Sequence, residues 1–281
     1  MPGRFPTGDR PRAPFLKAAA AGRADDLWNN PLVTSTAVLG DIHGDYERML
    51  QVAGDVDPDV TLVVVGDYFD RWDHAIEAVH WLMRRPNTTA LLGNHDALIL
   101  GVVEEALHGE EGRNTENWLW NGGKVEDLER LMAEPEALAW LRGRPAMVML
   151  GDTLVQHSDS PIYLTYGADI DSINATIQQR LASRDPDHLF HLFADLCSRR
   201  QFYSAQLVHD YLDIFGAKRL VHGHTPHTQP QAISMFDGSI VNVDGAMSRG
   251  FGPEPRGFLY WLATEDAGDS HGSLLRSPGD R

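Results

Sequence analysis

One cysteine in 281 residues, Cys197, leaves no intrachain disulfide to form and suits a reducing, cytoplasmic setting. Long apolar runs are missing as well: no stretch reaches the roughly 18 residues of a membrane-spanning helix, so no membrane partner is expected. The N-terminus, MPGRFPTGDRPRAPFLKAAAAGRADD, is basic and proline-rich but has no extended apolar core before a cleavage site, which argues against a secretory signal. Basic residues are the minority sign, with 24 Lys and Arg against 40 Asp and Glu and a formal charge of −16. That balance repels phosphate backbones and excludes broad nucleic-acid binding. It also leaves room for bound cations, because clustered carboxylates are costly to bury unless something positive lies between them. Internal repeats and long low-complexity segments are absent too.

Hydrophobic residues, 42% of the chain, are ample for a core. Residues 1–30 read as a flexible arm, 267–281 as a flexible tail rich in Gly and Ser, and 31–266 as one domain. Thr36–Leu39 has the pattern of a short strand and Asp45–Ala53 that of a helix. Val60–Val65 reads as a buried strand, with Asp73 placed to cap a helix running to Arg85. Thr88–Leu92 follows as a third strand, before a helix from Asp96 towards Leu107. This alternation predicts βαβ units and a partly parallel sheet, hence an α/β fold. Further strands are expected at 146–150, 153–156, 219–221, 240–243 and 257–262. The stretches 114–142 and 169–215 are helical in pattern and read as insertions over one end of the core.

Three of the strands end alike. VLGDIHG supplies Asp41 and His43, VVVGDYFDR supplies Asp67, Asp70 and Arg71, and LLGNHDA supplies Asn94, His95 and Asp96. Ligands of open α/β sheets bind beyond the carboxyl ends of strands, and Gly40, Gly66 and Gly93 let the chain turn there. Two later segments add imidazoles: TLVQHSDS with His157, and RLVHGHTPH with His222, His224 and His227. Each piece alone has an ordinary reading: a Gly-Asp turn, an Asn94 helix cap, a satisfied His157. Five such segments, all at strand ends, point together to a site of nitrogen and oxygen donors suited to Mn²⁺, Fe or Zn²⁺. No cysteine is near in sequence, which excludes a thiolate zinc site.

GDIHG, GDYFDR, GNHD, a lone strand-end histidine and HGHT, in this order, resemble the calcineurin-like metallophosphoesterases. The match is nearest to the phosphoprotein-phosphatase branch, which also contains bacterial symmetrical diadenosine tetraphosphate hydrolases, and runs roughly from Ala37 to Ala263. The resemblance implies a sandwich of two mixed β-sheets flanked by helices, with two divalent ions at its edge, Mn²⁺ first and Fe or Zn²⁺ as alternatives. It implies that Asp41 and His43 hold the first ion, that Asp67 bridges both, and that Asn94, His157 and His224 complete the second site. His95 would be the general acid beside the leaving group, oriented by Asp70, and Arg71 would clamp the phosphate, with Asn94 and His95 also facing substrate. A hydroxide shared by the two ions would be the nucleophile.

The implied substrate is a phosphorylated protein, nucleotide or small phosphoester. A phosphomonoesterase, with serine/threonine phosphoproteins as one class, stands first; symmetrical dinucleoside polyphosphate hydrolysis is the alternative, and a non-catalytic metal-binding module a third reading. The chain departs from the family where Trp72 replaces the glycine of DRG; the ring either packs under the loop or stacks on substrate. A second phosphate-binding arginine has only candidates, Arg142, Arg144 and Arg249. His227 falls one residue too late for the wider superfamily's last ligand and reads as a rim residue. His222 and Asp244 are expected to support the site, Asp96 to belong to the first turn of its helix, and Trp118, Trp120 and Trp140 to build the core of the insertion.

Overall fold

The computed structural model describes residues 35–254 and 256–262, so the arm at 1–30 and the tail at 267–281 lie outside the described residues. Apolar, β-branched runs form β1 (Thr36–Leu39), β2 (Thr61–Val64) and β3 (Thr88–Ala90), joined through α1 (Tyr46–Ala53) and α2 (Ala75–Arg84). The strands pair in parallel in the order β3-β2-β1, and β9 (Leu259–Leu262) closes the sheet antiparallel to β1. The second sheet has the order β4-β5-β6-β8-β7, from Met147–Leu150, Thr153–Gln156, Arg219–His222, Ile240–Asn242 and Ile233–Met235. Its two outer pairings are antiparallel and its two inner ones parallel.

Strand side chains alternate between two faces, and here both faces are buried. Val38, Val63, Val65 and Leu91 of the first sheet meet Val155, Val221, Val241 and Val243 of the second in a dry layer between the sheets. The opposite faces, including Leu39, Leu62, Val64, Leu154, Leu220 and Ile240, pack into the larger core shared with the helices. The result is the expected sandwich of two mixed sheets flanked by helices.

The insertions are helical: α4 (Arg113–Trp120), α5 (Val125–Ala133) and α6 (Pro135–Arg142) in the first; α7 (Ile170–Ser183), α8 (Pro186–Leu196) and α9 (Ala205–Phe215) in the second. The long α3 (Asn94–His108) packs against α4 and α8, one helix from each insertion. Among the described residues no helix is long and apolar enough to cross a membrane.

Three local expectations change. The cap of α2 is His74, not Asp73, and makes no side-chain cap bond. The His74 amide is already committed to the Gly44 carbonyl at 3.0 Å, while Asp73 pairs with Lys124 at 2.9 Å. Helix α3 begins at Asn94, two residues early, because the Asp96 carboxylate accepts from the Gly93 amide at 2.8 Å and closes the first turn from inside. Strand β7 was not anticipated: it is three residues long, largely exposed and lies at the sheet edge.

Candidate metal centre

The carboxyl ends of β1, β2 and β3 face those of β5 and β6 across the sandwich edge. Two loops approach so closely that side chains have no room: a Cβ on Gly66, whose φ is +117°, would lie 2.6 Å from the Gly93 amide nitrogen, and one on Gly93 would lie 2.1 Å from Asp67 Oδ1. Gly66 therefore supplies the turn, but Gly93 has an ordinary extended φ of −97° and supplies only space. Asp67, Asp70, Arg71, His43 and His224 all have positive φ, between 46° and 71°. Such clustering of costly backbone conformations is characteristic of functional loops. Asp96 ties the loops together by also accepting from the amides of Asp67 and Tyr68, each at 2.9 Å.

Asp41, His43, Asp67, Asn94, His95, His157 and His224 are each no more than 4% exposed. Ligand-capable atoms of His43, Asp67 and His95 lie within 4.8 Å of one another, and so do those of Asp67, His157 and His224, with Asp67 common to both groups. His43 Nε2 is 3.7 Å from Asp67 Oδ2 and 3.9 Å from Asp41 Oδ2. On the other side, His157 Nε2 lies 3.4 Å from Asp67 Oδ2, 2.9 Å from Asn94 Oδ1 and 3.1 Å from His224 Nδ1. Asp41 is anchored by the His224 amide, at 3.0 and 3.1 Å from its two oxygens.

The tautomers follow from what lies behind the rings. His43 Nδ1 donates to the Phe69 carbonyl and His157 Nδ1 to the Val65 carbonyl, both at 3.0 Å, and His224 Nε2 donates to the Cys197 carbonyl at 3.1 Å. With the rings neutral, the remaining nitrogen of each would turn its lone pair into the cluster around Asp67. Buried acceptors facing acceptors are unfavourable unless a proton or a cation lies among them. The chain's own charges express this: burial, then the neighbouring Asp244, pushes Asp41 well above the usual carboxylate range. His157 is carried up to about 10, because Asp67 and Asp41 outweigh the effect of its burial. A cation would replace that proton, and the nitrogen and oxygen donors fit divalent first-row ions.

Beside this cluster, His95 Nδ1 and Asp70 Oδ2 are 2.5 Å apart, and the Trp118 indole donates to the other Asp70 oxygen at 2.7 Å. Burial opposes the imidazolium of His95, but Asp67 and the bonded Asp70 prevail and raise it above the usual histidine value. Arg71 reaches His95 Nε2 at 3.3 Å, its guanidinium lies 4.9 Å over the Phe251 ring, and its Nε is buried without a partner among the described residues. Trp118 was expected only as insertion core, and nothing in its helix marks it as a partner of Asp70. Phe251, which no sequence motif marks, packs edge-on to His43 at 5.4 Å.

The candidate second arginines are engaged elsewhere. Arg142 pairs with Glu104, and Arg144 covers Trp140 at 4.2 Å. Arg249 is held by Asp45 at 2.7 and 2.9 Å and by Glu47 at 2.9 Å, and it covers the Trp72 ring at 4.7 Å. Trp72 is therefore a packing surface for Arg249. An arginine not anticipated from sequence, the exposed Arg199, has a field that reaches both Cys197 and His224. Cys197, remote in sequence, lies beside the cluster: its Sγ accepts from Asn94 Nδ2 at 3.4 Å. His222 is fully buried, with Nδ1 on the Gly223 carbonyl at 2.8 Å. Asp244 holds its own loop through the Ala246 amide at 3.0 Å, and half-buried His227 stacks on Phe258.

The serine/threonine-protein phosphatase PP1-1 of Saccharomyces cerevisiae is 32% identical over 90 residues, 28% of this chain and 29% of that protein. The serine/threonine-protein phosphatase 6 catalytic subunit of Caenorhabditis elegans is 29% identical over 99 residues, 31% of this chain and 30% of that protein. The matched region thus spans less than a third of either relative. The cold-active protein-tyrosine phosphatase of a psychrophilic Shewanella species shares the fold, with a TM-score of 0.58 and 21% identity over 80% of this chain and 75% of that one. A family model described as calcineurin-like phosphoesterase matches residues 34–227, from the first strand past His224. With every one of the converging strand ends inside that match, the chain belongs to the calcineurin-like phosphoesterase family.

Proposed function

We propose that the chain hydrolyses phosphate monoesters with two divalent ions, Mn²⁺ first, in a reducing cytoplasm, and that serine/threonine phosphoproteins are its substrate class. The observation that carries this reading is the set of three buried imidazoles whose inward nitrogens gather around Asp67. Asp41 and His43 would hold one ion, Asn94, His157 and His224 the other, and Asp67 both. When bound, the ions supply Lewis-acid activation of a water and neutralise charge on the phosphate.

The remaining chemistry belongs to the chain. Arg71 offers a planar guanidinium to phosphate oxygens, a geometry lysine lacks. His95, made more basic by Asp67 and Asp70, carries a proton on Nε2 for the leaving oxygen, a step worth roughly 10²–10⁴-fold. Asp70 fixes the ring from behind, with Trp118 fixing Asp70. A phosphate dianion is the counter-charge that lets imidazolium and guanidinium stand together.

The Mn²⁺-loaded protein should release phosphate from p-nitrophenyl phosphate and from phosphoserine peptides. His95→Ala should keep both ions and lose turnover by about 10²-fold or more. Cleavage of diadenosine tetraphosphate without phosphate release from peptides would replace this reading with the dinucleoside polyphosphate one. Inertness towards every phosphoester would leave a metal-binding module.

A further inference from the structure

The second helical insertion ends α8 directly at the cluster. Leu189, Leu192, Phe193 and Leu196 bury one face of α8, and Cys197 caps its last turn, with its amide bonded back into the helix. The position of Cys197 is thus set by the packing of the whole helix, α3 included.

Two of its atoms meet two different side chains of the cluster. The sulfur accepts from Asn94 Nδ2 at 3.4 Å and the carbonyl oxygen accepts from His224 Nε2 at 3.1 Å. Each contact makes a choice. An amide fills nearly the same space in either orientation, so its surroundings must decide which end points where. Asn94 has Oδ1 towards His157 Nε2, at 2.9 Å, and Nδ2 towards the sulfur. Reversed, the amide would aim two N–H groups at the centre and offer nothing to a cation. An imidazole faces a similar alternative, and a carbonyl at Nε2 leaves Nδ1 unprotonated and directed inward.

We propose that Cys197 is a positioning residue that selects the donor faces of Asn94 and His224, and so couples the α7–α9 insertion to the affinity of one of the two ion sites. This rests on the dinuclear reading above. The thiol acts as an acceptor for the amide; Asn94 and His224 remain the ligands.

The test is titration of the metal-free chain with Mn²⁺, following bound ions by calorimetry and free Mn²⁺ by electron paramagnetic resonance. Cys197→Ala removes the sulfur and keeps the carbonyl. It should weaken one of two ions by about 10-fold or more, the usual cost of losing a partner behind a metal ligand. Cys197→Ser restores an acceptor and should recover most of the loss. In an Asn94→Asp background no amide needs orienting, so Cys197→Ala should cost little there, a non-additivity that generic packing would not give. If the alanine variant does not fold, Cys197→Val, which keeps volume without an acceptor, takes its place. Wild-type binding of both ions unchanged in Cys197→Ala, or an equal loss in the Asn94→Asp background, overturns the role of Cys197 alone. Fewer than two ions in the wild type overturns the dinuclear reading itself.

Discussion

At the scale of single residues, the cluster is a set of paired choices: each functional group has one atom facing inward and another fixed from behind. His43 and His157 are fixed by carbonyls of the segment that follows β2, and Asp70 by the indole of Trp118. Trp118→Phe keeps a large ring in the core but removes the N–H from a buried carboxylate. A hydrogen bond to a charged group is worth about 1.5–3 kcal/mol. If that loss falls on the oriented His95–Asp70 pair, kcat should drop by roughly 10- to 100-fold with KM little changed. Steady-state kinetics on p-nitrophenyl phosphate decide it, and unchanged kcat would reduce Trp118 to a packing role. The inward-facing atoms were legible in the sequence because Gly-Asp and Gly-Asn steps after apolar strands mark a local pattern. Trp118 and Cys197 were not, since they act across folded distance from helices whose own patterns report only burial. The partners of the candidate arginines were not legible for a related reason: a basic residue's partner, such as Glu104 for Arg142, is set only when helices pack.

At the scale of elements, helix α5 carries an unusual charge. Asp127 is 3% exposed, and its Oδ2 has no partner among the described residues. Burial, then the fields of Asp70, Glu77 and Asp73, against Arg130, push it up to about 7. Its folded value thus exceeds the roughly 3.9 of an unfolded Asp. The folded chain holds the extra proton between these values, so this group's penalty is absent below pH ~4 and grows as pH rises towards about 7. Asp127→Asn should stabilise the protein at pH 8, by on the order of 2 kcal/mol, and gain nothing near pH 4. Urea melts at both pH values check this; an equal effect at both would contradict it. Element boundaries followed the sequence where strands are buried on both faces. They failed where loop contacts intervened, as at His74, and where β7 is too short and exposed to carry an apolar pattern.

At the scale of the molecule, the cluster belongs to neither sheet. Asp41, Asp67 and Asn94 follow the ends of β1, β2 and β3 of the first sheet, and His157 and His224 follow β5 and β6 of the second. The valine layer that joins the sheets is therefore also what brings the donors together. Several carboxylates are buried here, and protons relieve the cluster in the free chain, as at Asp41 and His157. The most direct measurement is anomalous X-ray diffraction from Mn²⁺-soaked crystals at the manganese edge. Two peaks flanking Asp67, one beside His43 and one beside Asn94, His157 and His224, are the expected result. No peak there, or a single ion with Asp67 left unliganded, would contradict the account.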